Sequence, residues 1–117
     1  MEQDYLQIRV LEVAPQVYVS GQLFETDVKL LARQGVRTII NTRPDNETPG
    51  QPTSADLAKV AEEFGVTFLH FPVEPGKPSE EDVAAFARAC EDLERPIHVF
   101  SRGGVRAIRL WEAAEDL

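Results

Sequence analysis

The chain has 117 residues, enough for one hydrophobic core and too few for two, so a single domain over residues 1–117 is expected. Hydrophobic residues make up 43% and charged residues 27%, ordinary for a globular protein, while a formal net charge of −8 argues against a broad nucleic-acid or acidic-membrane surface. No apolar run approaches bilayer length, no basic-then-apolar leader opens the chain, and one cysteine cannot form an internal disulfide; a cytoplasmic location is the default expectation.

Residues 1–7 are polar and read as a loose end or an edge element. Residues 8–13 alternate in side-chain character, Ala14-Pro15-Gln16 reads as a turn, and Val17-Tyr18-Val19 as a second strand, so an antiparallel pair at a sheet edge is expected. Residues 25–34 read as a helix, with Thr26-Asp27 in its first turn and Gly35 as its C-cap. Residues 36–41 form a β-branched run, hence a buried parallel strand. Residues 42–52 are rich in Pro, Gly, Asn and Asp and form a loop.

Thr53 or Ser54 caps a helix that reaches about Phe64 and ends at Gly65. Residues 66–71 are a further apolar strand, and residues 72–78 a loop. Ser79-Glu80-Glu81-Asp82 resembles a capping box and starts a helix to about Leu93, with Val83, Phe86, Ala87, Cys90 and Leu93 on one face. Pro96 opens the last strand, and Val105 the last helix. This alternation predicts an α/β three-layer sandwich, with a mostly parallel sheet of four or five strands and helices on both faces. The loops after Asn41, Phe71 and Phe100 then converge on one cleft.

The most informative stretch is residues 96–111, where a short apolar run meets a helical pattern through Ser101-Arg102-Gly103-Gly104-Val105-Arg106. Such a turn aims several backbone N–H groups into one concavity at the positive end of a helix dipole, which makes an anion site. Arg102 and Arg106 add guanidinium forks suited to phosphate or sulfate, and Gly103 and Gly104 permit a tight turn and close approach.

The order Ser-Arg-Gly-Gly-Val-Arg after a strand resembles the catalytic loop of the bacterial beta-lactamase-hydrolase-like family, which has a dual-specificity (tyrosine) phosphatase-like fold and a rhodanese-like loop, Cys-Arg-Ser-Gly-Thr-Arg. Residues 19–23, 35–45 and 49–52 match in the same order, so the resemblance covers residues 17–111. Arg102, Gly104 and Arg106 are kept, while Ser101, Gly103 and Val105 replace the family's Cys, Ser and Thr. The resemblance implies that a cysteine at 101 would attack phosphorus, or take up sulfane sulfur, as a thiolate. It also implies that Arg106 binds the oxyanion. A serine hydroxyl is far less acidic and needs an adjacent base, which no neighbouring histidine or lysine supplies in sequence. An engineered cysteine-to-serine trap and a natural non-catalytic relative both fit. The family's chains continue past the final helix, which implies a short end at Leu117.

Arg43 and Asp45 follow the second parallel strand and lie within reach of the cleft, Arg43 as an anion binder and Asp45 as a candidate general acid. The plainer alternative has Asp45 capping a turn, with Arg43 pairing with it or with backbone carbonyls, and for Asp45 that alternative is preferred. Glu74 is a second candidate acid, though a solvated loop glutamate is the simpler reading. His70 and His98 read as core histidines, Cys90 as inert packing and Arg109 as a surface residue. No metal-ligand spacing exists, and no cofactor is implied.

Three functions compete. The first is a phosphate-monoester hydrolase impaired by Ser101, and the second a rhodanese-like sulfurtransferase, favoured by four rather than five residues between position 101 and Arg106. The third is a non-enzymatic module that binds phosphate, sulfate or a phosphorylated small molecule or protein. The oligomeric state is left open.

Overall fold

A computed structural model describes residues 9–117. Five strands are present: β1 (Val10–Ala14), β2 (Val17–Ser20), β3 (Thr38–Asn41), β4 (Thr67–His70) and β5 (Ile97–Phe100). The helices are α1 (Glu25–Arg33), α2 (Ser54–Glu63), α3 (Glu80–Cys90) and α4 (Val105–Glu115). The strands form one sheet in the order β1-β2-β5-β3-β4, parallel except for the antiparallel β1–β2 pair at one edge. The expected α/β sandwich is therefore present; Ile8, read as the first residue of the first strand, lies outside the described residues.

β5 lies at the centre of the sheet and is buried on both faces. Ile97 and Val99 join Val17, Val19, Ile40, Phe86, Leu110 and Trp111 on the side covered by α3 and α4. Phe100 joins Leu23, Val28, Leu31, Ile39 and Leu57 on the side covered by α1 and α2. Period-two alternation thus feeds two cores from one strand, as a sheet buried on both faces requires. Phe86 meets Trp111 edge to face at 6.1 Å and pins α3 against α4.

The helix starts are chemically explicit. The Asp56 N–H donates to Thr53 Oγ1 and the Asp82 N–H to Ser79 Oγ, so Thr53, not Ser54, is the N-cap of α2. Ahead of α1, Asp27 Oδ2 accepts from the Phe24 N–H at 2.8 Å, so Asp27 acts from inside the first turn rather than as the cap itself. Two expectations shift. β4 sits at the sheet edge, so Thr67 and His70 are exposed, and His70 is no core histidine. α3 ends at Cys90, and Leu93 packs against the core from the segment beyond it.

Parallel strands with intervening helices bring the C-terminal ends of β3, β4 and β5 to one edge, as expected. At that edge Phe100 O accepts from both the N–H and the hydroxyl of Thr42, at 3.0 and 2.8 Å. The loop after β3 is thereby stitched to the loop after β5.

Candidate anion-binding site

The loop after β5 is held by the turn that closes β2. The Ser101 N–H donates to Ser20 O at 3.3 Å, and the Gln22 N–H donates to Arg102 O at 3.1 Å. Both contact surfaces need glycine. A Cβ on Gly21 would stand 3.1 Å from Arg102 O. Gly104, the N-cap of α4, has φ +97°, and its Cβ would stand 3.3 Å from the Ser20 carbonyl carbon. An alanine there would combine left-handed strain with a backbone contact that cannot yield, so Gly104→Ala is expected to cost about 1–3 kcal/mol in urea unfolding.

Ser101 lies at the floor of this turn and is 1% exposed. Its Oγ accepts from the Gly104 N–H at 3.0 Å and the Ala107 N–H at 3.2 Å, the orphan donors at the start of α4. A thiolate in that position would be stabilised by the same two bonds and the helix dipole. A hydroxyl accepts the bonds but keeps its proton, and among the described residues no base takes it. Among the described residues the Ser101 O–H has no protein acceptor, and Ser101 lines the cavity above it.

Arg106 leads from the first turn of α4 to Glu47. Its two terminal nitrogens grip the carboxylate at 3.0 and 3.1 Å, and Nη1 also donates to Val73 O at 2.9 Å. Of the five guanidinium N–H bonds, Nε–H and one on Nη2 remain, and these lie along one edge of the planar group as a fork. Glu47 in turn accepts from Arg43 Nε at 2.8 Å. Burial pushes the Glu47 carboxyl up; the bonds and charges of Arg106 and Arg43 outweigh this and hold it below its ordinary value of 4.5.

Arg43 is buried and engaged at all three of its nitrogens: beyond Glu47, its Nη1 donates to Gln22 Oε1 at 2.7 Å and its Nη2 to Thr48 Oγ1 at 3.0 Å. Its partner is therefore Glu47 rather than Asp45. The expectation that Arg43 faces an anion is met by a guanidinium already committed to orienting Glu47, one step behind Arg106. Sequence reading passed over Glu47, Gln22 and Ser20. The one signal was that a buried arginine in the loop must find a carboxylate, and loop spacing does not choose between Asp45 and Glu47.

Above Ser101 is a cavity of about 180 Å³, lined by Ser101, Gly103, Val105, Arg106 and Arg109, with Pro75 and Gly76 as the opposing wall. Gly104 forms the back of the turn against Ser20. Arg102 is exposed and does not line the cavity, whereas Arg109 is exposed and does. Among the described residues no carboxylate lines it. Asp45 is exposed and accepts from the Ser54 N–H at 2.9 Å, which seats the start of α2. Glu74 is exposed in the loop above.

The remaining titratable groups are structural. His98 is buried and bonds Ser20 Oγ at 2.7 Å; the Ser20 hydroxyl donates to Gly21 O, so the neutral His98 ring donates to the serine. Burial pushes its pKa down from 6.5 to about 4. Between those values the unfolded chain takes up a proton that the folded chain refuses, so stability falls as pH drops through this window and levels off below it. Roughly 3 kcal/mol is at stake, and urea titrations from pH 7 to 4 should show a shallower fall for His98→Gln. Burial raises the Cys90 thiol to about 11, which keeps it protonated. Among the described residues, no group of three or more His, Cys, Asp or Glu side chains is placed to hold a metal ion, and no helix is long and apolar enough to cross a membrane.

Comparison with known proteins bears on the family and the fold. The sequence profile described as "Beta-lactamase hydrolase-like protein, phosphatase-like domain" matches residues 8–117. The Beta-lactamase hydrolase-like protein of Agrobacterium fabrum is 31% identical over 110 residues, 94% of this chain and 26% of its own length. The chain thus spans about a quarter of the length of the curated relatives it matches. A candidate phosphatase from Neisseria meningitidis, solved by crystallography, superposes with a TM-score of 0.79 at 35% identity, over 86% of this chain and 72% of that one. The kinase associated phosphatase, solved with serine in place of its catalytic-site cysteine, gives a TM-score of 0.65 at 18% identity, over 99% of this chain and 79% of that one. At that identity the likeness is one of fold alone.

Proposed function

The chain belongs to the phosphatase-like domain family of the beta-lactamase hydrolase-like proteins, and from that premise we propose that the loop 101–106 binds a phosphate monoester and, with serine at position 101, holds it without turning it over at a phosphatase's rate. The fold is phosphatase-like; the site chemistry is the proposal.

The observation that carries it is the environment of Ser101 Oγ, which receives two backbone N–H bonds and has no base. That arrangement favours negative charge on the side-chain atom at position 101, enough to ionise a thiol, but it supplies no base to take the proton of a far less acidic hydroxyl. The free side of Arg106 and the Ser101 O–H add donors on the cavity side, so a phosphoryl group seated there meets positive potential from several directions. Asp45 takes the role of a helix-seating carboxylate, and Arg43 that of the group that fixes Glu47. A sulfurtransferase would need a sulfur at position 101 to carry the sulfane atom, which Ser101 does not offer.

The test is a paired measurement on the chain as it stands. Calorimetry is expected to show saturable binding of phosphate, lost in Arg106→Ala, while an aryl phosphate is not hydrolysed above background and competes with phosphate. Turnover within the ordinary enzymatic range of about 1–10³ s⁻¹ would overturn the proposal, and so would undiminished binding by Arg106→Ala.

A further inference from the structure

The cavity over Ser101 does not end at Arg109. The same side chain lines a second, larger cavity of about 610 Å³, and Gly76 of the first is followed directly by Lys77 of the second, so the two form one trough. Its long wall is α4: at 3.6 residues per turn, Val105, Arg106, Arg109, Glu112, Ala113 and Asp116 fall on one side of the helix axis. At 1.5 Å per residue that stripe is about 16 Å long, the span of about five residues of extended chain.

The charges along the trough are sorted. Arg109 is shared by the two cavities and Lys77 follows Gly76 directly, both near Arg106; Glu112 and Asp116 lie farther along α4 from Ser101, and Glu80, at the start of α3, lines the same larger cavity. Among the described residues none of these five pairs with an opposite charge within 4 Å, in contrast to Arg43, Glu47 and Arg106. A polyanion such as a nucleoside polyphosphate or an acidic lipid surface would meet repulsion at the far end. A ligand that is anionic at one end and cationic a few ångströms on would be complemented along the whole trough.

We infer that the trough along α4 takes a phosphorylated polypeptide segment with a lysine or arginine two to four residues from the phosphorylated side chain, the phosphate over Ser101 and the basic side chain between Glu80, Glu112 and Asp116. The inference rests on the phosphate-binding reading of the loop and adds to it the class of ligand and the residues that select it. The volume is in the range of sites that enclose a ligand, and the apolar floor that Val83 provides suits the aliphatic stem of a basic side chain.

The experiment is fluorescence anisotropy on the full chain with labelled heptapeptides that carry central phosphotyrosine or phosphoserine. The flanking residues are either lysine and arginine or glutamate, and inorganic phosphate serves as competitor. The basic phosphopeptides are expected to bind at least about tenfold more tightly than the acidic ones, with the ratio reversed by Glu112→Lys combined with Asp116→Lys. Both substitutions are at exposed positions and leave the core intact. Equal affinity for basic and acidic phosphopeptides, or a ratio that the double variant leaves alone, would refute the inference while the phosphate-binding loop stands. Binding of the unphosphorylated basic peptide as tightly as its phosphorylated form would also refute it. If neither phosphate nor any phosphopeptide binds, the reading of the loop fails first and this inference with it.

Discussion

Ser101→Cys is expected to raise aryl-phosphate hydrolysis over the serine chain on the order of a thousandfold or more, because it supplies the one group the turn is shaped for. The Gly104 and Ala107 N–H groups, at 3.0 and 3.2 Å from the side-chain atom at position 101, would stabilise a thiolate at neutral pH. That thiolate would attack phosphorus and form a phosphocysteine bond as the ester oxygen leaves, and water would then release phosphate. In the cysteine background, Arg106→Ala is expected to remove about 10²–10³ of the rate, since Arg106 lines the cavity and keeps two unpaired N–H groups for charge that develops on the phosphoryl oxygens. Because no carboxylate among the described residues lines the cavity, the leaving oxygen is expected to depart without a proton from the protein. Aryl esters should therefore be cleaved far faster than alkyl esters, and the rate should follow leaving-group acidity steeply. Equal rates on the two ester classes would mean that an acid reaches the site.

Glu47→Ala is expected to be the most destabilising of the substitutions considered, at about 3–5 kcal/mol. The carboxylate joins two guanidinium groups whose side chains are only 4% and 10% exposed. Its removal leaves Arg43 and Arg106 with like charges and no counter-charge, a large fraction of the 5–15 kcal/mol that holds a domain folded. Glu47→Gln keeps an acceptor and should cost less. The pH dependence has a fixed sign: the Glu47 pKa is lowered on folding, so its contribution is present above the ordinary value of 4.5 and is lost as pH falls through the folded value. Urea unfolding at pH 7 and below pH 4.5, for the native chain and Glu47→Gln, measures both the size and the sign. A stability that Glu47→Gln leaves unchanged at pH 7 would show that the cage is not holding the loop.

The elements were legible because their signals are local. Ser79 and Thr53 cap helices through bonds to residues three positions on, Gly35 follows the end of α1 with φ +97°, and Ile97 to Phe100 alternates between two cores. The strand-to-helix turn at residues 101–106 could be read in the same way, since two glycines and two arginines within six residues say what the backbone does there. The support of that turn could not. Glu47 reaches Arg106 across 59 positions, and Ser20 meets His98 across 78, so each pairing exists only once the sheet order is set. His70 was misjudged for a related reason, because an apolar run looks alike whether its strand is central or at the edge, and only the order β1-β2-β5-β3-β4 exposes it. Asp45 was singled out and Glu47 passed over, because a loop without periodicity does not say which carboxylate turns inward; the fold divides them, one seating α2 and the other holding Arg106.

The central claim is that the turn binds an oxyanion at its own backbone N–H groups. A phosphate titration of the isotope-labelled chain, followed by amide resonances, tests it most directly. Saturable shifts at Gly103, Val105 and Arg106, whose N–H groups are not taken by Ser101 Oγ, abolished by Arg106→Ala, are the expected result. Unmoved amides in that turn at millimolar phosphate, or shifts gathered elsewhere on the surface, would contradict it.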